Sequence, residues 1–395
     1  MGETRLEIVR LPYMIAYTEA AGFKDTYGGD VGHVFVEAMA IRPRDVASKA
    51  VIVFSHPIGG GSFLPIMSAL AVRGHHVLYV NTRYRGNDTA LIMEKCVLDL
   101  GAGIADARKR FGYERVLLGG WSGGGSLALF YQEQAEQPSV TTTPAGDPVD
   151  LVGAKLVPGD GMFLVAAHVG RSVTLTEWID PSVVDEGHPE RRDPALDLYD
   201  RANPAQPPYR PEFLERYRAA QVARNERITR VCEARLDEMR RGGRPNDEHC
   251  FVVHRTMADP RWLDPAIDPN ERKPRWCYLG DPEMVNDGPV GLARFTTLRS
   301  WLSQWSLRTS RAHGERNAAN TSVPTLVVGN LADDACPRSH TGRLFDAIPH
   351  GRKSMHEIEG ASHYYVGQRA ELAACIGHYE RWLEECGFME RAPTA

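Results

Sequence analysis

Short apolar runs set between longer stretches of mixed polarity dominate the first 170 residues of the chain and return after residue 320. Residues 50–55 read Ala-Val-Ile-Val-Phe-Ser, residues 115–118 end in Val-Leu-Leu, residues 162–167 are apolar throughout, and residues 324–328 carry Leu-Val-Val. Runs of about four to eight such residues, bounded by glycine, proline or polar residues, are the pattern of strands buried on both faces. Residues 34–40, 76–80 and 353–358 complete the predicted strands. Helix-forming stretches, such as the one after Ser126, alternate with most of them. That alternation implies an α/β architecture: a mostly parallel sheet, helices on both faces, and right-handed crossovers.

From about residue 171 to residue 320 regular strands vanish and helix signals take over. Pro211 suits a first helical turn, and Phe213, Tyr217, Ala220, Ile228, Val231, Cys232, Leu236 and Met239 follow at helical spacing. A second helix is expected to carry Leu292, Phe295, Leu298, Leu302 and Trp305 on one face. Residues 137–158, rich in proline, threonine and glycine, read as an exposed excursion. At 395 residues the chain exceeds one ordinary compact core, yet no low-complexity linker divides it. The expected organisation is a core formed by residues 1–170 and 321–395, interrupted by a mainly helical insertion at 171–320.

The candidate chemistry begins at Leu117-Leu118-Gly119-Gly120-Trp121-Ser122-Gly123-Gly124-Gly125-Ser126. A Gly-x-Ser-x-Gly between a strand and a helix lifts the serine hydroxyl out of the sheet, and its small neighbours permit backbone angles and packing that a Cβ blocks. The helix N-terminus then lies beneath the serine with free N–H groups. In a chain with 37 glycines the pentapeptide alone is weak. Two downstream segments strengthen it. The strand at 324–328 runs into Asn330-Leu331-Ala332-Asp333-Asp334-Ala335-Cys336-Pro337, which sets carboxylates just past a strand end. The strand at 353–358 leads through Glu359-Gly360-Ala361-Ser362 to His363 and Tyr364. The order is Ser, Asp, His.

On these motifs the chain resembles the α/β-hydrolase superfamily, serine esterase- or lipase-like, over about residues 30–170 and from 320 to the end. The resemblance implies an α/β-hydrolase sheet with a helical cap at 171–320, Ser122 as nucleophile, His363 as general base and then acid, and an Asp that orients the imidazole. The family places that acid a few residues after a strand-end glycine and four before a proline, so Pro337 selects Asp333. One extra residue after Gly329 keeps Asp334 open, and the pair also reads as an Asx-rich turn capping the next helix. His56-Pro57-Ile58-Gly59-Gly60-Gly61 resembles the His-Gly-x-x-x loop of lipases and esterases, with proline in place of the first glycine. Proline has no N–H to give. The oxyanion donors so implied are the backbone N–H groups of Ile58 and Gly123, while His56 reads as a structural hydrogen-bonding residue.

The implied activity is cleavage of a carboxylic ester or lactone through an acyl-enzyme, with a small-molecule substrate and no metal or organic cofactor. Amide, thioester and carbon–carbon cleavage and acyl transfer remain open on the same residues, as does a small-ligand sensor. Relatives acting as dehalogenases or epoxide hydrolases place an Asp at the elbow, where this chain has Ser122. Trp121, His168 and Tyr364 are candidate substrate contacts. Arg171 near the same sheet edge reads equally as an ion-pair or capping residue, and the charges between Asn81 and Asp88 are expected to pair with one another. Trp178, Trp262, Trp276, Trp301 and Trp305 all fall in the insertion. They line a pocket for a bulky apolar substrate or form the insertion's own core.

Charge and cysteine content narrow the classes further. A formal charge of -5 with both signs interspersed argues against a nucleic-acid footprint. Seven widely spaced cysteines without a Cys-x-x-Cys pair suggest free thiols rather than a zinc site or disulfide framework. No apolar run reaches the roughly 18 residues of a membrane span, and the first residues lack a signal-peptide pattern. A cytoplasmic protein is expected, its oligomeric state open. Gly2 is not followed by the Ser or Thr of a myristoylation site, since Leu6 stands there.

Overall fold

The computed structural model describes residues 6–26 and 28–388; Gly2 lies outside the described residues. Its strands are β1 (Ile8–Thr18), β2 (His33–Pro43), β3 (Ala50–His56), β4 (Val77–Asn81), β5 (Arg115–Ser122), β6 (Gly161–Ala167), β7 (Cys250–Val252), β8 (Phe295–Thr297), β9 (Thr325–Asn330) and β10 (Lys353–Ile358). The helices are α1 (Pro65–Val72), α2 (Met93–Phe111), α3 (Gly123–Glu136), α4 (Arg171–Trp178), α5 (Pro211–Arg241), α6 (Pro260–Leu263), α7 (Pro282–Asp287), α8 (Leu298–Ser300), α9 (Gly314–Ala318), α10 (Arg338–Ala347) and α11 (Arg369–Glu385). Eight strands form one sheet in the order β1-β2-β4-β3-β5-β6-β9-β10. The pairs β1/β2 and β2/β4 are antiparallel, and every other pair is parallel.

The continuous apolar runs conceal a two-residue alternation. In β3, Val51 and Val53 point into the core shared with α2 and α3, whereas Ile52 and Phe54 point into the core shared with α1 and α11. Leu118 and Leu117 divide between the same two cores in β5, as do Leu164 and Phe163 in β6. Both faces are covered, so both sets of positions must be apolar. β1 was not expected from the sequence. It is an edge strand carrying Arg10 and Pro12, with partly exposed residues along most of its length, and proline is tolerated where no neighbour needs its N–H.

The insertion between β6 and β9 carries the helices α4 to α9 and one small ladder of β7 and β8, but turns and loops make up more of it than helix, so it is less helical than expected. Helix α5 buries Phe213, Tyr217, Ile228, Cys232, Leu236 and Met239 as its spacing requires, but Val231 falls off that face and is 52% exposed. The expected helix from Leu292 to Trp305 does not form as one piece. Phe295 lies in β8 opposite Val252 and is exposed. The β-branched Thr296 and Thr297 favour a strand there. The Thr297 side chain then accepts the Ser300 N–H at 3.2 Å, starting a helical turn that widens into a π-helix over Trp301–Trp305. Leu298, Leu302 and Trp305 still share the cap's core with Trp301.

Two further expectations need correction. The excursion after α3 is not simply exposed: Val140, Val149 and Leu151 pack into the main core and Ala145 into the cap's. The charges between Asn81 and Asp88 find partners outside their own segment. Arg83, with its side chain fully buried, meets Glu19 at 2.6 Å, Asp25 at 2.7 Å and Asp99 at 3.0 Å. Arg85 pairs with Glu37, and Asp88 with Arg171. Local spacing could not show this, because the partners come from β2, the β1–β2 connection, α2 and α4. No helix among the described residues is long and apolar enough to cross a membrane.

Arg83 thus ties the edge of the sheet to α2. Replacing it by Ala leaves Asp99 charged and buried without its cation, and removing one member of a buried pair costs about 3–5 kcal/mol. The expected outcome is a lower urea midpoint for Arg83→Ala with an unchanged slope; an unaltered midpoint would show that the network contributes nothing.

Candidate active site

Ser122 ends β5 and caps α3 with φ 53° and ψ -125°, a left-handed conformation that a residue with a Cβ adopts only under constraint. The constraint comes from its neighbours. A Cβ on Gly124 would lie 2.3 Å from the Ser55 carbonyl oxygen, and one on Gly120 would lie 2.7 Å from the Gly125 Cα. Neither space admits a side chain, so β5 and α3 meet at a tight angle and Ser122 stands at the apex. Gly123 opens α3, leaving its N–H without an intrahelical acceptor.

Asp333 and His363 come from the ends of neighbouring strands β9 and β10. The Asp333 carboxylate accepts the N–H groups of Ala335 at 2.7 Å and Cys336 at 2.8 Å through Oδ1, and its Oδ2 lies 2.8 Å from His363 Nδ1. Both side chains are about 2% exposed. It is Asp333, not Asp334, that meets the imidazole. Burial, and then the Asp333 charge beside it, push the Asp334 carboxyl above its ordinary range. The pairing assigns the imidazole proton to Nδ1 and leaves Nε2 as the free base. The histidine loop is clamped from β9: Asn330 donates to the Ser362 carbonyl at 2.9 Å and accepts the Tyr365 hydroxyl at 2.5 Å.

Ser122 Oγ does not hydrogen-bond to His363 here. It contacts Cys336 Sγ at 4.0 Å, and Cys336 Sγ, an Asp333 carboxylate oxygen and a His363 ring nitrogen lie within 4.8 Å of one another. Such contacts are commonly loose without substrate and tighten when it binds. The sequence reading missed Cys336, though it follows the acid by three residues, in the turn whose amides hold that carboxylate. Asp333, Cys336 and His363 also form the group among the described residues with the donor set for a metal ion. A cation there would compete with the Asp333–His363 hydrogen bond. Burial, followed by Asp333, pushes the Cys336 thiol well above its ordinary value, so it stands as a protonated thiol at neutral pH.

Trp121 brackets the histidine: its Nε1–H donates to the His363 carbonyl at 3.2 Å, and its ring lies 4.6 Å from the imidazole and 5.3 Å from Tyr364. His168 is buried against the elbow on the other side, its Nε2 3.3 Å from where a Gly123 Cβ would be. Arg171 lies in an ion pair with Asp88 and over the Trp305 ring, with Nε donating to Gln304 at 3.0 Å. The Ile58 N–H points at His56 Nδ1, 3.3 Å away. Of the cap tryptophans, Trp301 and Trp305 sit in the cap's core, and Trp178 and Trp262 pack on each other at 5.0 Å. Trp276 is partly exposed beneath Lys273. Trp178 and Trp262 also border a cavity of about 20 Å³ beside Asp333 and Cys336. Four of the five tryptophans of the insertion, Trp178, Trp262, Trp301 and Trp305, are thus buried in its own hydrophobic clusters. A hollow of about 500 Å³ elsewhere on the cap is lined by charged residues such as Glu190, Arg192 and Asp200 and includes none of Ser122, Asp333 or His363.

His56 and His168 are both held neutral. Burial first, then the Arg171 charge, lower His56 to about 3, and burial followed by His340 lowers His168 well below its ordinary value. In the unfolded chain each titrates near 6.5. The unfolded state therefore binds more protons below that pH, and stability, full above about 6.5, falls as the pH drops toward 3. Thermal melts across that range should show this loss, and His168→Gln should make it shallower. An identical pH profile for the variant would show that His168 takes no part in it.

No family model and no curated protein matches the chain. Among solved structures it is similar to Est1E from Butyrivibrio proteoclasticus, with 12% identity over 90% of this chain and 96% of that one and a TM-score of 0.46. It is also similar to a monoacylglycerol lipase from Paleococcus ferrophilus, with 14% identity over 87% and 99% of the two chains and a TM-score of 0.42. A proline iminopeptidase from Mycobacterium smegmatis gives 15% identity over 89% and 97%, with the same TM-score of 0.42. At such values the likenesses carry nothing about the bond cleaved. The strand order, the turn at Ser122 and the strand-end positions of Asp333 and His363 make the fold that of the α/β hydrolases.

Proposed function

We propose that the protein is a serine hydrolase that cleaves a carboxylic ester or lactone through an acyl-enzyme. The observation that carries this reading is the left-handed Ser122 at the β5–α3 turn beside a buried His363–Asp333 pair. Ser122 Oγ attacks the carbonyl carbon while His363 Nε2 takes its proton, and Asp333 stabilises the imidazolium that forms. His363 then protonates the leaving alkoxide. Water then attacks the acyl carbon as it loses a proton to His363, and His363 passes that proton to Ser122 Oγ as the acyl–oxygen bond breaks and the acid leaves. The Gly123 N–H donates to the oxyanion in both halves of the reaction. The exposed part of Trp121 and the neighbouring Tyr364 support an apolar face for the substrate. Amide and thioester cleavage, or acyl transfer, would use the same groups, and the acceptor and leaving group distinguish them.

The test is hydrolysis of p-nitrophenyl esters of rising acyl length, with aromatic esters and lactones, by wild type and Ser122→Ala together. Ser122→Ala and His363→Ala should each lower kcat by on the order of 10⁶-fold, and the double variant by no more, because such residues act as a unit. A wild type that is folded yet inert to every ester and to a fluorophosphonate would sink the proposal. Asp333→Asn should lower kcat by roughly 10⁴-fold by favouring the wrong tautomer. Asp334→Asn should change it little; the reverse ranking would move the orienting role to Asp334.

A further inference from the structure

The space a side chain on Gly123 would fill is taken by imidazoles. His56 Nε2 lies 2.9 Å from the position of a Cβ on Gly123, and His168 Nε2 lies 3.3 Å from it on another side. His56 ends β3 and its ring is held against Trp121 at 5.9 Å. Its Nδ1 faces the Ile58 N–H at 3.3 Å. A ring nitrogen that accepts an N–H carries no proton, so a neutral imidazole in this setting carries its proton on Nε2. That Nε2–H has no hydrogen-bond partner among the described residues.

The same contact alters the expected oxyanion site. The Ile58 amide, the donor implied by the sequence, is engaged by the ring, and Pro57 has no amide hydrogen at all. Gly123 N–H remains, at the head of α3. Standard bond lengths place His56 Nε2 no more than about 5.5 Å from the Gly123 nitrogen. One oxygen reaches two donors that far apart at roughly 2.9 Å from each.

Building on the serine-hydrolase reading, we propose that His56 is a catalytic residue whose Nε2–H, together with the Gly123 N–H, donates to the oxyanion. When Ser122 Oγ bonds to the carbonyl carbon, the carbonyl π pair moves onto oxygen and the serine proton passes to His363. The new oxyanion accepts from His56 Nε2–H and returns its pair to carbon as the leaving group departs. His56 thus gives a hydrogen bond and transfers no proton. Its neutrality suits this, since burial and the nearby Arg171 keep a second proton off the ring. The Ile58 amide takes a positioning role, fixing the tautomer that makes Nε2 a donor.

The experiment compares wild type, His56→Phe and His56→Gln on one p-nitrophenyl ester, with phenylboronic acid as the tetrahedral mimic. His56→Phe keeps a ring and removes the donor. Loss of one oxyanion donor lowers kcat roughly 100 to 1,000-fold, with KM little changed, and phenylboronic acid affinity should fall in parallel. His56→Gln, which returns an N–H near the position of Nε2, should recover part of both. Equal kcat and boronate affinity in wild type and His56→Phe would overturn the proposal, as would a loss carried entirely by KM. Should His56→Phe fail to fold, nitrogen-15 spectra of the wild type decide. The His56 Nε2–H resonance should move downfield on adding phenylboronic acid, and an unmoved resonance refutes the role. A wild type that hydrolyses esters while these readouts stay flat refutes the His56 role alone. A wild type that is inert and unlabelled refutes the underlying function as well.

Discussion

The site depends on a steric constraint at one turn. Ser122 holds a backbone conformation that costs of order 1–3 kcal/mol for a residue with a side chain, and it does so because β5 and α3 close on each other across glycines. The Gly124 Cα sits against the Ser55 carbonyl, and the Gly120 and Gly125 backbones touch. The buried parallel strands on either side, β3 and β6, keep that approach from relaxing. The strain and the sheet thus form one device: the two-sided apolar core supplies the rigidity, and the turn converts it into an outward-facing hydroxyl beside a helix N-terminus.

The parts of this design that are local in sequence could be read from it. Strands buried on both faces announce themselves as short apolar runs, and β3, β5, β6 and β9 lie where those runs do. Ser122, Asp333 and His363 each follow a strand, so order along the chain was enough to nominate them. What escaped were features set by distant partners. β1 is an edge strand whose mixed polarity resembles a loop, Arg83 draws its carboxylates from the β1–β2 connection and from α2, and the helix expected over Leu292 and Phe295 yields to a strand that pairs with β7. The two imidazoles at Gly123 were also invisible as a pair, because His56 ends β3 and His168 follows β6, and only the sheet brings them to one glycine.

The insertion between β6 and β9 also holds the loops of the candidate site. Asn270 donates to the Asp333 carbonyl at 3.0 Å, and the Glu271 N–H donates to the Leu331 carbonyl at 2.8 Å, so the insertion grips the backbone of the loop that carries the acid. Glu271 reaches the Gly360 N–H as well, in the turn that leads to His363. The acid and histidine loops are therefore braced on one side by the sheet and on the other by the cap. Asn270 and Glu271 thus reach both loops through backbone groups, without touching the side chain of Asp333 or His363.

Ser122 stands before the cap in the chain, while Asp333 and His363 follow it. Every contact between Ser122 and the loops of Asp333 and His363 therefore closes a loop through the whole insertion, and such long-range closures come late, after local contacts have formed. A nascent chain whose C-terminal strands are still emerging already holds the serine but not the imidazole that activates it in the proposed reaction. On the proposed function, reactivity is thus tied to the completion of folding, and a partly folded molecule carries a hydroxyl no more nucleophilic than any other serine's.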